Sequence, residues 1–158
     1  MDRNGPLTDI VGFLMSRISR FSDLKDNWDG CCAFPVKPSA IARAARILQT
    51  LKARNLIEDL PSGEDPLPGE AQAGEVIRPE VAHGGMEIGA TQEGGIRFDW
   101  IGEGSRFTAV VPPRENDPVF LEDARFHESS GRIVSETQTT DDYERIADLL
   151  EDALRARS

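Results

Sequence analysis

Hydrophobic residues recur every three or four positions in three stretches of the chain, a spacing that predicts three amphipathic helices. The first helix is expected over residues 8–24, with its first residue as the N-cap. The second is expected from Ser39, which can cap it, to about Arg54, and the third after Thr139 or Thr140. Two helices are therefore predicted before the segment between Arg54 and Thr139, and one helix is predicted after it.

Charged residues fall outside the apolar stripes of these helices. Arg43 and Arg46 are predicted to lie on the solvent side of the second helix. Asp141, Asp142 and Glu144 are predicted in the first turn of the third helix, where the helix dipole favours negative charge.

From about Val81 the hydrophobic period changes to two, which is typical of strands. The segments "EGG" (93–95), "GEGS" (102–105) and "SSG" (129–131) are predicted turns between these strands. The expected fold is therefore α+β: two N-terminal helices, an antiparallel β-meander of about four to five strands, and a C-terminal helix packed on one face. A chain of 158 residues is predicted to form one domain, residues 1–158.

Residues 58–80 differ from the rest in composition. They contain four prolines, three glycines and seven acidic residues against one arginine. So few apolar residues cannot offset the entropy of ordering the segment, which predicts an acidic, Pro/Gly-rich flexible loop within the domain.

The net charge of −10 is unevenly distributed along the chain. Residues 1–56 have a net charge of +4, and residues 57–158 have a net charge of −14. The acidic part disfavours direct binding to nucleic acid and favours a protein partner with a basic surface. The alternative is that the charge only maintains solubility.

The N-terminal apolar run and the two cysteines predict where the protein is located and whether it binds a metal. The most apolar N-terminal run, "IVGFLM" (10–15), is too short for a signal peptide or a spanning helix, so we expect a cytoplasmic protein that does not insert in a membrane. Cys31 and Cys32 are adjacent, are expected to be reduced, and make a poor zinc site. No cofactor or metal is predicted.

Catalytic motifs are missing from the sequence: it has no Gly-rich phosphate loop, no H-E-x-x-H and no G-x-S-x-G. His83 and His127 are the two histidines, and no spacing links either of them to a nucleophile. Asp29, Asp99 and Asp123 could in principle meet as metal ligands, although carboxylates this numerous produce such triples by chance. No catalytic residue is assigned.

The segment "DNWDG" (26–30) is interpreted as a structural turn formed by Asn27, Trp28, Asp29 and Gly30. Trp28 is expected to pin this turn on the core, and Trp28→Ala is predicted to cost roughly 3–5 kcal/mol if the ring is fully buried.

The run "NWDGCCAFPVKPSAIARAARIL" and the later "GGIRFDW" carry a resemblance. They resemble a loose group of small proteins from phages, prophages and bacterial mobile elements, which have no agreed function. The chain departs from that pattern at Cys31–Cys32 and in its long acidic loop. The resemblance implies a setting of conflict between phage and host, and it transfers no catalytic residue.

The leading hypothesis is a non-enzymatic binding protein that neutralises a protein partner, as an inhibitor of host defence (anti-CRISPR-like) or as an antitoxin. Its partner would present a basic surface, as a nucleic-acid-binding effector does. The candidate partner-binding carboxylates are Glu58, Asp59, Glu64, Asp65, Glu70, Asp141, Asp142, Glu144, Asp148, Glu151 and Asp152.

Two alternatives remain open at this point. One is a small hydrolase or nuclease-like enzyme that uses His83 or His127 with carboxylates. The other is a phage structural or assembly protein, and a homodimer is compatible with any of the three.

Overall fold

The computed structural model describes residues 7–23, 34–57, 60–61, 80–81, 84–102 and 104–155. Within these residues the helices are α1 (Ile10–Ile18), α2 (Pro38–Ala53) and α3 (Tyr143–Arg155), and a 3-10 helix (Ser19–Asp23) follows α1. The strands are β1 (Leu7–Thr8), β2 (Leu60–Pro61), β3 (Glu80–Val81), β4 (Gly84–Ala90), β5 (Ile96–Gly102), β6 (Ser105–Val111), β7 (Val119–His127) and β8 (Arg132–Thr140). This order confirms the predicted α+β fold.

Helix α1 is shorter than the predicted 8–24. Thr8, the expected cap, pairs with Leu60 in a two-residue ribbon, so Asp9 takes the N-cap position and accepts a hydrogen bond from the Val11 amide. The hydroxyls of Ser16 and Ser19 each donate to a carbonyl three residues earlier. Such bonds compete with regular α-helical geometry, and the chain continues as a 3-10 turn.

Helix α2 begins one residue before the predicted cap. Pro38 occupies the first turn, where its missing N–H costs nothing. The Ser39 hydroxyl does not cap the helix but donates to the Pro113 carbonyl oxygen at 2.9 Å. At the other end Asn55 takes a positive φ of 59°, and the Leu56 amide bonds back to Leu51, which closes the helix.

Arg43 is buried, contrary to the prediction for α2. Only 8% of the residue is exposed. Its guanidinium donates to the carbonyl oxygens of Arg114 at 3.2 Å and Asp117 at 2.7 Å, both in the β6–β7 connection. The connection approaches α2 from more than 70 positions away in sequence, so local periodicity could not reveal it.

The main sheet is an antiparallel meander with the strand order β3-β4-β5-β6-β7-β8. All three predicted turns match connections between strands. The segment 93–95 lies between Ala90 and Ile96, which pair with each other. Gly102 pairs with Ser105, and His127 pairs with Arg132 across the SSG turn, where Gly131 has a φ of 66°. The β4–β5 turn is held against the segment before α2, because the Phe34 amide donates to the Gln92 carbonyl and the Lys37 amide to the Gly94 carbonyl.

One face of the sheet is buried under the helices. Phe98 lies at its centre, opposite Ile88 on β4 and Ala109 on β6. The Phe98 and Trp100 rings stack with their centroids 5.8 Å apart. The helices cover this face with apolar side chains, which include Ile10, Leu14, Ile18, Ala40, Ala44, Ile47, Leu48, Leu51, Ile146, Ala147 and Leu150.

Strand β8 extends to Thr140, one of the two residues predicted to cap the third helix. Thr140 is therefore a strand residue, although its Oγ1 accepts a hydrogen bond from the Asp142 amide. Asp142 in turn accepts from the Glu144 amide, so Asp141 and Asp142 precede α3 and only Glu144 lies in its first turn.

Some predictions fall on residues outside the described ranges. These are the turn Asn27, Trp28, Asp29 and Gly30, the histidine His83, and residues 58–59 and 62–79 of the predicted loop. The remaining loop residues, Leu60, Pro61 and Glu80, belong to the short strands β2 and β3.

Candidate functional site

Six of the predicted partner-binding carboxylates lie together on α3 and the two residues before it. Two arginines, Arg145 and Arg155, share this stretch, which leaves a net charge of −4 over residues 141–155. Its apolar side packs in the core, so the carboxylates occupy the side that faces solvent. This acidic face consists of Asp141, Asp142, Glu144, Asp148, Glu151 and Asp152.

Arg54, just after α2, binds three of these carboxylates at once. Its guanidinium lies 3.1 Å from Glu144, 2.7 Å from Asp148 and 2.9 Å from Glu151. These residues are three and four positions apart, so they form one row along the helix. Hydrogen bonds to Asp148 first and Glu144 second raise the pKa of Arg54 above its ordinary value, so the guanidinium stays charged.

The other three carboxylates have different surroundings. Asp142 caps the helix, and Asp152 has no ion pair within the described residues. Asp141 lies 3.9 Å from the Arg43 guanidinium, beside an open cleft of about 380 Å³ that Arg46 and Tyr143 also line. The predicted cluster is therefore partly neutralised from inside the molecule, and it is not an uncompensated acidic patch.

The predicted loop carboxylates cannot be placed relative to α3. Glu58, Asp59, Glu64, Asp65 and Glu70 all lie outside the described ranges. Among the described residues, the acidic face consists of Asp141 and Asp142, which precede α3, and the four carboxylates on the helix.

His127 lines an open cavity of about 300 Å³ with Asp123, Arg125, Val134 and Glu136. Arg125 binds Asp123 at 3.0 Å. Within the described chain, no hydrogen bond joins the His127 ring to either carboxylate. The cavity therefore gathers an imidazole and two carboxylates without the oriented contacts of a formed acid–base pair.

Asp99 and Asp123, considered above as metal ligands, lie on opposite faces of the sheet. Asp99 pairs with Thr108, whereas Asp123 pairs with Phe107, the next residue along β6. The described residues contain no group of three or more His, Cys, Asp or Glu side chains that could hold a metal ion.

The face of the sheet away from the helices carries a polar cluster that the sequence did not indicate. Asp99 is buried there, and it accepts hydrogen bonds from Thr108 at 2.6 Å and from Arg97 at 2.9 Å. Arg106 approaches to 3.8 Å. Arg97 lies on the same strand as Asp99, whereas Thr108 and Arg106 come from the next strand, so the cluster depends on the β5–β6 register.

The end of the β7–β8 hairpin exposes apolar side chains. Phe126 and Ile133 face each other across the hairpin, and Val134 is exposed on the opposite side. The adjacent pair Ile133–Val134 breaks strict alternation, which is the one sequence feature that could have drawn attention to this hairpin.

Three comparisons with known proteins found no similarity: no family model, no curated protein and no solved structure matches the chain. Among the described residues, no helix is both long enough and apolar enough to cross a membrane.

Proposed function

We propose that this chain is a small acidic, non-enzymatic binding protein that neutralises a protein partner in the cytoplasm. The partner presents a basic surface, as a nucleic-acid-binding effector does. The resemblance to mobile-element proteins favours an inhibitor of a host defence system, anti-CRISPR-like, or an antitoxin-like protein.

The acidic face of α3 is the observation that carries this proposal. At 1.5 Å rise per residue, steps of four and three residues separate Glu144, Asp148 and Glu151 by about 6 Å and about 4.5 Å along the axis. Phosphates in one DNA strand follow each other at about 3.4 Å along the helix axis, so the row offers charges at a comparable density. A basic groove that tracks a phosphate backbone can therefore accept this face.

Arg54 supports the proposal by fixing the geometry of the row. It binds one oxygen of each carboxylate: Oε2 of Glu144, Oδ1 of Asp148 and Oε2 of Glu151. Glu144 and Asp148 each keep a second carboxylate oxygen that can accept from another cation, whereas Oε1 of Glu151 already accepts from Arg155 at 3.2 Å. Because these side chains are already ordered, they lose less conformational freedom when a partner binds them.

The test uses the purified chain as bait in lysate from the organism that encodes it. A double variant, Glu144→Gln with Asp148→Asn, removes two charges from the row and retains acceptor oxygens for Arg54. The control, Glu93→Gln with Glu128→Gln, removes two exposed charges from turns elsewhere. We expect a stoichiometric partner to be retained by the wild type and the control and to be reduced about tenfold or more by the row variant.

Short single-stranded DNA added as a competitor identifies the surface on the partner. If the acidic face occupies a nucleic-acid groove, DNA releases the partner, and raising the salt concentration weakens the complex. Equal capture by the wild type and the row variant contradicts the proposal, and so does the absence of any stoichiometric partner.

A second candidate function rests on the cavity at His127, which brings the imidazole near Asp123 and Glu136. It is a hydrolase or nuclease-like activity with His127 as the general base. A screen against nucleic acid and ester substrates tests it: an activity that His127→Gln abolishes supports the enzyme, and no activity in the wild type excludes it for those substrates.

A further inference from the structure

Strand β8 forms one edge of the main sheet. It is nine residues long, contains no proline, and is exposed along all of its length except Thr140. Ile133 is 73% exposed and Val134 is 50% exposed. Edge strands are usually protected by proline, by bulges or by several charges, because a bare edge pairs with other chains. The only charges on β8 are Arg132 and Glu136.

We propose that β8 pairs antiparallel with β8 of a second copy of this chain, around a twofold axis at Val134. The pairing joins two antiparallel sheets edge to edge into one continuous sheet. It uses a surface separate from the acidic face of α3, so it stands or falls independently of the proposed binding function, and it shares Val134 and Glu136 with the cavity at His127.

Symmetry restricts the registers available to such a pair. A twofold axis that relates two antiparallel edge strands is perpendicular to the sheet, so both copies keep their helices on the same side. Side chains directly opposite each other share one face, and side chains alternate between faces along a strand. A residue can therefore face only itself or a residue an even number of positions away.

Among these registers, only the one with the axis at Val134 places the two charged residues of β8, Arg132 and Glu136, opposite each other. With the axis at Glu136, the two Glu136 carboxylates would face each other, and like charges directly opposite are unfavourable. With the axis at Ser135, the apolar Val134 would face charged Glu136. With the axis at Val134, valine faces valine, and Arg132 of each copy faces Glu136 of the other.

The register within one chain supplies a second argument. Asp123 on β7 lies directly opposite Glu136 on β8, so two carboxylates face each other across the hairpin. Arg125 binds Asp123, and Glu136 has no ion pair within the described residues. In the proposed dimer, Arg132 of the second copy approaches Glu136 from the outer edge and supplies the missing cation.

The same arrangement limits steric conflict. Helix α3 follows the Thr140 end of β8, six residues from the axis. Antiparallel pairing at Val134 carries the two Thr140 ends in opposite directions, so each α3 lies away from the other copy. The paired segment is short, and interfaces of small area are typically weak, so the dimer should depend on protein concentration.

Sedimentation velocity over a wide range of protein concentrations tests the association. The wild type should pass from 17.4 kDa to twice that mass. Arg132→Glu should raise the dimer dissociation constant about tenfold or more, because both symmetric pairs become repulsive. Combining Arg132→Glu with Glu136→Arg should restore the wild-type dissociation constant. Arg145→Glu, an equal charge change on α3, should leave the dissociation constant unchanged.

Disulfide trapping tests the register, in a chain with Cys31 and Cys32 replaced by serine. Directly opposite Cβ atoms lie about 5 Å apart, close enough for a disulfide after small adjustments. Val134→Cys should give a covalent dimer under mild oxidation, and Gln138→Cys should not. Circular dichroism confirms that each variant is folded.

The outcomes are distinct. A wild-type monomer at every concentration overturns the proposal. Trapping by Glu136→Cys or Gln138→Cys in place of Val134→Cys overturns the register, and failure of the double charge swap to restore association overturns the pairing of Arg132 with Glu136.

Discussion

Replacing Arg43 by methionine is expected to destabilise the fold by about 2–4 kcal/mol, because the buried guanidinium holds the β6–β7 connection against α2. Two hydrogen bonds from a charged donor, to the carbonyls of Arg114 and Asp117, contribute about 1.5–3 kcal/mol each. Part of this loss is offset, since methionine removes the cost of burying a charge and water can reach the carbonyls of the exposed loop. The pair with Asp141 is long and exposed, and it adds little.

Urea denaturation followed by circular dichroism measures this effect. Arg46→Met is the matched control, because Arg46 is exposed on the same helix and lies 5.4 Å over the Tyr143 ring. An exposed cation–π contact contributes about 0.5–1 kcal/mol, so the control should lose less than about 1 kcal/mol. Hydrogen exchange should also accelerate in residues 112–118 for Arg43→Met alone. Equal losses for the two variants would refute the role of Arg43.

Three further predictions concern the core, a turn and pH. Phe98→Ala should cost about 3–5 kcal/mol in urea denaturation, because the ring is fully buried at the sheet centre; a loss under about 1 kcal/mol would contradict that packing. Gly95→Ala should cost at least about 1–3 kcal/mol, because a Cβ atom there would overlap the Val111 carbonyl oxygen; an unchanged melting temperature would show that the turn adapts freely. The hydrogen bond from Lys52 lowers the pKa of Asp9 in the folded protein. The ion pair therefore stabilises the fold fully above the pKa of Asp9 in the unfolded chain, about 4, and this stabilisation is lost as the pH falls through the pKa of Asp9 in the folded protein. The melting temperature should therefore fall below about pH 4, and less steeply in Lys52→Met; identical pH profiles would contradict this linkage.

The elements with strong periodicity could be predicted from the sequence, and those set by distant contacts could not. The period of two with predicted turns at 93–95 and 102–105 located β5, and the helical spacing after Thr139 or Thr140 located α3 within a few residues. The predictions that Thr8 and Ser39 cap helices were wrong, because Thr8 pairs with β2 and the Ser39 hydroxyl donates to the Pro113 carbonyl oxygen. A hydroxyl just before a predicted helix is typical of an N-cap. The fold decides whether that hydroxyl caps the helix or bonds to a group that is distant in sequence.

The candidate site illustrates the same limit. The helix predicted after Thr139 or Thr140 is present, and four of the predicted carboxylates lie on it, because acidic residues on one helix remain neighbours in any fold. The sequence could not show that Arg54 binds Glu144, Asp148 and Glu151, since these contacts span about 90 positions. Nor could it show that Asp123 and Glu136 face each other, because that depends on the hairpin register.

The meander order has a consequence for synthesis of the chain. Each strand of the main sheet pairs with its neighbour in sequence, so the sheet can assemble by successive hairpins. Helices α1 and α2, by contrast, are made first, and their apolar faces pack in a core whose last buried sheet residue is Leu121 on β7. At translation rates of about 5–20 residues per second, α2 waits about 3–14 s for that residue. During this interval the nascent N-terminal helices are the part of the molecule most exposed to chaperones and to aggregation.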